Sequence, residues 1–247
     1  MAGSSFTEAL RHSGKGVGGS YDYRAGTGMM PSMEFAHFHD DFFQAMTTNV
    51  PAGWDATVID TGATVVTDTT AGHATGSLFF DSDGATEGAA VYGEKSIQLT
   101  AGKKFWMEVR AKTELADDSD LQFGLSVLTA VTNPEDLWTT AAASLIAFGV
   151  LDGDATVTML SDLSNSGSTA ELGTKDLVSA TWHVLAIFWD GAKLHGYVDG
   201  QRVLTWSQAV ATTVPTGTAL APFVGFRNGS AATTEGHVDY IRWVMER

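Results

Sequence analysis

The residues that come closest to a catalytic pattern are carboxylates spaced along strand-like segments. Retaining glycosidases use two carboxylates about 5 Å apart, and positions i and i+4 of one strand can supply such a pair. Glu108 could begin this spacing, but Arg110 and Lys112 occupy the next two positions on its face. Glu235 and Asp239 have the spacing, yet the neighbouring glycine and the nearby end of the chain favour a position on the rim of the fold. We therefore predict no catalytic residues and a protein that is not an enzyme.

Acidic turns offer a second kind of chemistry, because Ca²⁺ prefers hard oxygen ligands. One turn contains Asp81, Asp83 and Glu87, and another contains Asp117, Asp118 and Asp120. Their spacing departs from that of a helix-loop-helix calcium site, and exposed acidic turns are common in a chain this acidic. His37 and His39 alternate along an extended segment and could bind a transition metal, although such a pair lies more often at a subunit contact or in solvent. The prediction is no metal and no cofactor, with Ca²⁺ as the alternative.

Aromatic side chains on a sheet could stack on sugar rings. The candidates are Trp106, Trp138, Trp189 and Trp243. Strand alternation places Trp106 on the same, more polar face as Lys104, Glu108 and Arg110. An adjacent strand, an arm or a second subunit could equally cover such a ring. Trp106 and Trp138 are therefore candidate glycan contacts, and the sequence leaves both interpretations open.

Composition narrows the class of protein. The 247 residues carry a formal net charge of -15, which argues against binding to a nucleic acid backbone, because that requires clustered Lys and Arg. No cysteine is present, so neither a disulfide framework nor a thiolate metal site can form. The sequence shows no apolar run long enough to cross a bilayer and no signal-peptide pattern. We expect a protein made in a cytoplasm, with no nucleic acid and no membrane as partner.

The first part of the chain differs from the remainder. Residues 1–33 are rich in Gly and Ser and hold three basic residues against two acidic ones, whereas the remainder holds 11 basic and 27 acidic residues. This segment has too little apolar content for a core of its own. We predict an extended arm over residues 1–39 and a folded domain over residues 40–247. The residues expected to bind a partner through the arm are Phe6, Leu10, Arg11, Lys15, Tyr21, Tyr23, Arg24, Met29 and Met30.

The folded part is dominated by alternation with a period of two. In the run KKFWMEVRAKT, the apolar positions Phe105, Met107, Val109 and Ala111 share one face. Further strand-like runs are DLQFGLSVL, WDATVID, ATVV, GSLFFD, AAVYG, KSIQL, ASLIAFGVL, ATVTML, PFVGFRN and HVDYIRWVME. Many short strands without a long amphipathic helix indicate an all-β antiparallel sandwich or barrel.

Two Asp-Gly pairs divide the run TWHVLAIFWDGAKLHGYVDGQRVLTW into three strands. Asp-Gly is favoured where both central residues of a turn need positive φ, so Asp190-Gly191 and Asp199-Gly200 are each predicted to close a tight hairpin. The two aspartates are therefore interpreted as turn formers rather than as ligands or acids.

Longer runs resemble a known fold. The segments HVLAIFWDGAKLHGYVDGQRV and PFVGFRNGSAATTEGHVDYIRWV resemble the second half of a concanavalin A-like or laminin G-like jelly roll. The segments DDFFQAMTTNVPAGWDATVIDTGATVV and KKFWMEVRAKT are similar to virion proteins of tailed bacteriophages built on this sandwich. The likeness covers roughly residues 40–246 and concerns structural motifs, so it indicates the fold better than the function.

The resemblance implies a role on a virion. It suggests a capsid decoration, or cement, protein that binds the outside of the shell and stabilises it through the arm. The implied partners are the major capsid protein and further copies of the chain, as a dimer or a trimer. The implied location is the capsid surface, after assembly in the host cytoplasm. The alternative function is a lectin-like virion or tail module that binds host glycans.

Overall fold

The computed structural model describes residues 35–40, 54–58, 64–68, 77–81, 84–127, 144–163, 169–229 and 234–246. Within these ranges the chain forms sixteen strands and one short helix. The strands are β1 Phe35–Asp40, β2 Asp55–Val58, β3 Thr64–Asp68, β4 Ser77–Asp81, β5 Gly88–Tyr92, β6 Ile97–Gln98, β7 Phe105–Thr113, β8 Ser119–Ser126, β9 Leu145–Leu151, β10 Asp154–Asp162, β11 Thr169–Asp176, β12 His183–Trp189, β13 Leu194–Val198, β14 Gln201–Thr205, β15 Ala219–Asn228 and β16 Gly236–Glu246, and the helix is α1 Val210–Thr213. No helix in the described part is long and apolar enough to span a membrane.

The strands form two antiparallel sheets that pack face to face. The first sheet has the order β14-β13-β12-β7-β16-β4-β3, and β1 pairs with β16 beside it. The second sheet has the order β11-β10-β9-β8-β15-β5-β2, and β6 pairs with β15. The predicted all-β antiparallel sandwich is confirmed.

The core lies between the inner faces of the two sheets. The apolar face predicted for β7 is fully buried there, since Phe105, Met107, Val109 and Ala111 are each no more than 1% exposed. Leu121 belongs to the matching inner face of β8 and joins the same cluster. Burial of such apolar area, at about 25 cal/mol per Å², is what holds the two sheets together.

Only one of the two Asp-Gly turns has the predicted form. Asp199 and Gly200 have φ of 48° and 80°, so the tight hairpin between β13 and β14 is confirmed. The prediction for Asp190-Gly191 is wrong, because Trp189 pairs with Leu194 and four residues connect β12 to β13. Asp190 instead stabilises this longer loop, where its Oδ1 accepts hydrogen bonds from the N–H groups of residues 192 and 193, both at 2.7 Å.

The beginning of the sandwich lies earlier than the sequence indicates. Residues 35–39, which the prediction assigns to the arm, lie in β1, whose register runs from Phe35 opposite Glu246 to Asp40 opposite Ile241. Phe38 packs against the core with its ring stacked on that of Trp243, 6.0 Å between centroids. The nine residues proposed for partner binding lie outside the described residues.

The carboxylate of Asp199 links the two sheets. It accepts hydrogen bonds from Lys175 of β11 at 2.8 Å and from the Val184 N–H at 3.0 Å, and it contacts His183 Nδ1 at 2.8 Å. Partial burial acts to raise the pKa of Asp199, but these hydrogen bonds outweigh it and hold the pKa below its usual value. The ionised carboxylate is therefore the form that stabilises the fold.

Replacing Asp199 with asparagine is expected to lower the free energy of unfolding by about 1 kcal/mol at pH 7. A carboxyl group whose pKa is lower in the folded than in the unfolded state stabilises the fold at pH values above its unfolded pKa, which is near 3.8 for Asp199. This contribution is lost as the pH falls through the pKa of the folded state. The deficit of Asp199→Asn should therefore shrink below pH 3.8, as measured by urea unfolding from pH 2.5 to 7. Asp81→Asn removes the same charge from an exposed position as a control. An equal deficit at every pH would show that the ionised form is not the cause.

Candidate functional site

Charged and aromatic side chains converge on the outer face of the first sheet. Because side chains alternate along a strand, the residues of β7 between the buried positions point away from the core. β7 and β16 pair in the middle of this sheet. We call the following residues the central outer face: Trp106, Glu108, Arg110, Lys112, Trp182, Asp239, Tyr240 and Arg242.

Glu108 is the most buried charge in this group, with no exposed surface. Its Oε1 accepts hydrogen bonds from the Tyr240 hydroxyl at 2.9 Å and from Arg242 Nη2 at 2.8 Å. Its Oε2 accepts one from Trp106 Nε1 at 2.9 Å. Burial, followed by the charge of Glu108, raises the pKa of Tyr240, so the phenol stays protonated and donates. The carboxylate thus fixes Arg242 and two aromatic rings in the middle of the sheet.

A β-bulge shapes the neighbouring part of the face. The register between β16 and β7 shifts between Val238 and Tyr240. Such bulges re-aim side chains, and here Asp239 accepts a hydrogen bond from Arg110 Nη1. The Arg110 guanidinium also lies over the half-buried Trp182 ring, with Cζ 4.8 Å from its centroid. A cation–π contact and an ion pair therefore hold Arg110 in one orientation.

Trp106 is covered by adjacent strands, which is one of the two interpretations that the sequence leaves open. Its side chain is 3% exposed, because Phe188 of β12 and Tyr197 of β13 pack against it with centroid distances of 5.8 Å and 5.3 Å. The half-buried aromatic side chains beside it on β12 and β13 are Phe188 and Tyr197. Trp189 and Trp243 are buried in the core, and Trp138 lies outside the described residues.

The other acidic candidates do not converge. Glu235 lies 3.6 Å from His237 Nε2, whereas Asp239 binds Arg110, so the two carboxylates with i, i+4 spacing have different partners. Asp120 is occupied by Arg227 at 3.3 Å.

The metal predictions are only partly covered by the structure. Within the described ranges, no group of three or more His, Cys, Asp or Glu side chains could hold a metal ion. Asp83 lies outside those ranges. His37 and His39 lie in β1 opposite Val244 and Arg242, but their side chains are outside the described part, so the transition-metal alternative stays a prediction.

Sequence reasoning missed Tyr240, Arg242 and Trp182 as members of the site. Alternation in the run HVDYIRWV already places Tyr240 and Arg242 on one face of a strand. Their approach to Glu108 depends on a pairing across 132 residues, which leaves no local signal.

Comparison with known proteins identifies the fold but no family. No protein-family model matches the sequence, and no curated protein matches it significantly. The solved structures that resemble it include a seed lectin from Lotus tetragonolobus, with a TM-score of 0.58, 10% identity and coverage of 86% of this chain and 99% of the lectin. A laminarinase from Flavobacterium sp. UMI-01 has a TM-score of 0.53 and 14% identity, with coverage of 85% of this chain and 99% of the laminarinase. The Crh5 transglycosylase in complex with NAG has a TM-score of 0.53 and 17% identity, with coverage of 85% of this chain and 83% of the transglycosylase.

These likenesses support the jelly-roll fold and correct one prediction. The prediction that the chain is not an enzyme, which rests on the spacing of carboxylates along single strands, is wrong, because several structural neighbours are glycoside hydrolases or transglycosylases. At 10–17% identity they establish the architecture alone. None of the three proteins described above is a virion protein, so the resemblance to phage proteins stays a prediction.

Proposed function

We propose that the chain is a carbohydrate-binding β-sandwich and that the outer face of its first sheet holds the saccharide. This proposal rests on two adjacent strips of side chains on the outer face of the first sheet. Phe188 and Tyr197 form an apolar aromatic strip on β12 and β13. Arg110 and Arg242 lie in the polar strip on β7 and β16.

This pairing matches the chemistry of a sugar ring. A pyranose has an apolar face of C–H groups and an edge of hydroxyl groups, so it needs an aromatic surface beside fixed hydrogen-bonding side chains. Binding sites generally combine aromatic side chains with a few precisely placed polar groups. Here strand pairing and the Glu108 network hold those groups before a ligand arrives. The lectin among the structural neighbours is consistent with this use of the fold.

The proposal is tested on a glycan array, followed by calorimetry with the best oligosaccharide. Tyr197→Ala is expected to lower the affinity about tenfold, because it removes one aromatic contact. Leu172→Ala is the control, since Leu172 is 66% exposed on β11 of the second sheet and should leave binding unchanged. Absence of binding, or binding that Tyr197→Ala does not change in a folded variant, would contradict the proposal. Assaying the same panel for new reducing ends shows whether a bound saccharide is also cleaved.

We further propose the capsid role as a second candidate, in which residues 1–33 fasten the sandwich to the major capsid protein. Two features support it. The arm is close to neutral in charge while the remainder is strongly acidic. β1 also pairs with β16 over its whole length, so Phe35 has a fixed position on the first sheet.

Deleting residues 1–33 is expected to leave a folded sandwich that no longer binds capsids, because β1 is retained while the arm is lost. Cosedimentation with particles measures the binding, and mass spectrometry of purified virions measures the copy number relative to the shell protein. Full binding by the truncated chain would remove the arm from the mechanism, and absence from virions would end the capsid proposal.

A further inference from the structure

We infer that the saccharide bound at the central outer face is anionic, and that Arg110 and Arg242 together recognise its acidic group. This inference rests on the proposed saccharide binding and specifies its ligand class. The shared chemistry is a carboxylate, as in a uronic acid, or a sulfate ester, since both accept the paired hydrogen bonds that a guanidinium donates.

The two arginines are placed to act on one group. Arg110 pairs with Tyr240 across the β7–β16 ladder, and Arg242 lies two residues further along β16. Diagonal neighbours of this kind are about 7–8 Å apart, a distance that two long side chains bridge easily. Both side chains are on the outer face and both remain partly exposed, 38% for Arg110 and 22% for Arg242.

Each guanidinium keeps hydrogen-bonding capacity beyond its ion pair. Arg242 reaches Glu108 through Nη2, and Arg110 reaches Asp239 through Nη1. A guanidinium carries five N–H donors, so these ion pairs occupy only part of that capacity. The carboxylates and the Trp182 ring therefore hold the arginines in fixed orientations without saturating them.

Arg227 shows how a purely structural arginine differs. Its Nε donates to the Thr86 carbonyl and its Nη1 to Asp120, and its side chain is 13% exposed at the end of β15. Its contact with Thr86 joins a loop to β15, in addition to its ion pair with Asp120 directly across the β8–β15 ladder. The ion pairs of Arg110 and Arg242 join only strands that already pair through their backbones, so the ladder does not need their side chains to form.

The overall charge makes local cations essential for an anionic ligand. A protein with a net charge of -15 repels anions over most of its surface, so an anionic ligand can approach only where cations are concentrated. Lys112 adds a third cation to the same face, with Nζ 5.8 Å from the Trp182 centroid and 2.6 Å from Glu114 Oε1. The buried Glu108 is neutralised locally by Arg242. Arg110 and Arg242, each partly exposed, are therefore the cations that an acidic group can reach on this face.

The experiment compares three oligosaccharides of equal length by calorimetry with the full chain: a neutral one, its uronate counterpart and its sulfated counterpart. We expect an anionic form to bind at least about tenfold more tightly than the neutral form, and this preference should weaken as salt is added. Arg110→Gln should lower the affinity for the anionic form about tenfold and the affinity for the neutral form by less, so the preference for the anionic form narrows. Lys95→Gln removes the same charge from an exposed position near β6 as a control.

A second variant guards against misfolding. Arg242→Gln leaves Glu108 buried beside a neutral side chain, which could destabilise the fold. Arg242→Lys keeps the positive charge beside Glu108 but lacks the planar guanidinium, so it is measured as well. A loss of anionic preference in Arg242→Lys supports recognition by the guanidinium. Preference for uronate or for sulfate identifies the group, and either result supports the inference. Equal binding of neutral and anionic forms overturns it while leaving saccharide binding intact, whereas no binding of any form overturns both proposals.

Discussion

Replacing Glu108 with alanine is expected to lower the free energy of unfolding by about 3 kcal/mol. The change removes the acceptor of three hydrogen bonds, from Trp106, Tyr240 and Arg242, at a position with no exposed surface. It leaves the buried indole N–H of Trp106 without its acceptor and Arg242 without its counter-charge, and it removes the carboxylate to which the Tyr240 hydroxyl donates. Glu108→Gln keeps an acceptor oxygen but loses the charge, so its cost should be smaller, about 2 kcal/mol.

Urea unfolding followed by circular dichroism measures both Glu108 variants. Glu94→Gln is the matched control, because it removes the same charge from an exposed residue between β5 and β6 and should change stability by less than about 0.5 kcal/mol. If Glu108→Ala lowers the free energy of unfolding no more than this control does, the buried network does not stabilise the sheet. The conclusion that the network positions Arg242 would then be wrong.

Gly124→Ala should destabilise the second sheet by about 3 kcal/mol. A Cβ at Gly124 would lie 1.9 Å from the backbone oxygen of Ile146 and 2.8 Å from its carbonyl carbon. Gly124 pairs with Ala147 of β9, so the obstructing atoms belong to the ladder itself and cannot move without disturbing it. A side chain can rotate away from a clash, whereas a paired backbone cannot.

Thermal and urea unfolding of Gly124→Ala can be compared with Gly102→Ala. At Gly102 nothing lies within 4 Å of the added Cβ, but φ is +75°, so this variant measures the conformational cost alone, about 1 kcal/mol. If the two variants lose equal stability, the close approach of β8 to β9 is not the cause.

Alternation predicted the strands and the core but not the environment of the outer faces. It separated Phe105 and Met107 from Trp106 and Glu108 correctly, since side chains on a strand must alternate. It could not reveal that Phe188 and Tyr197 cover Trp106, because the order β13-β12-β7 depends on which strands pair. A polar residue in a strand pattern therefore need not face water.

Turn chemistry was predictable only where the turn was short. Asp199-Gly200 joins β13 to β14 with positive φ at both residues, as the residue types indicate. Asp190-Gly191 has the same two residue types. The Asp190 side chain, however, accepts a hydrogen bond from the backbone N–H of Ala192 and also lies 3.0 Å from His195 Nε2. These side-chain contacts support a longer loop, and neither is visible in the dipeptide.

The candidate site was the least predictable part, because it joins residues from distant parts of the chain. Glu108 is recognisable as a carboxylate without an acidic partner on its own strand. Its actual partners, Tyr240 and Arg242, become its neighbours only when β16 pairs with β7. The bulge that brings Asp239 to Arg110 has no sequence signature here either. Enzymatic activity likewise could not be excluded from one strand, since catalysis depends on which groups the whole fold brings together.

The pairing of β7 with β16 also sets the order of events during synthesis. β7 occupies the middle of the first sheet, but β16 spans residues 236–246, so a ribosome must translate more than a hundred further residues before that side of β7 finds its neighbour. Contacts this far apart in sequence slow folding, because a long segment must close before they form. Until β16 has been made, one edge of β7 lacks its partner strand, and unpaired strand edges are the parts of a folding chain most prone to aggregation.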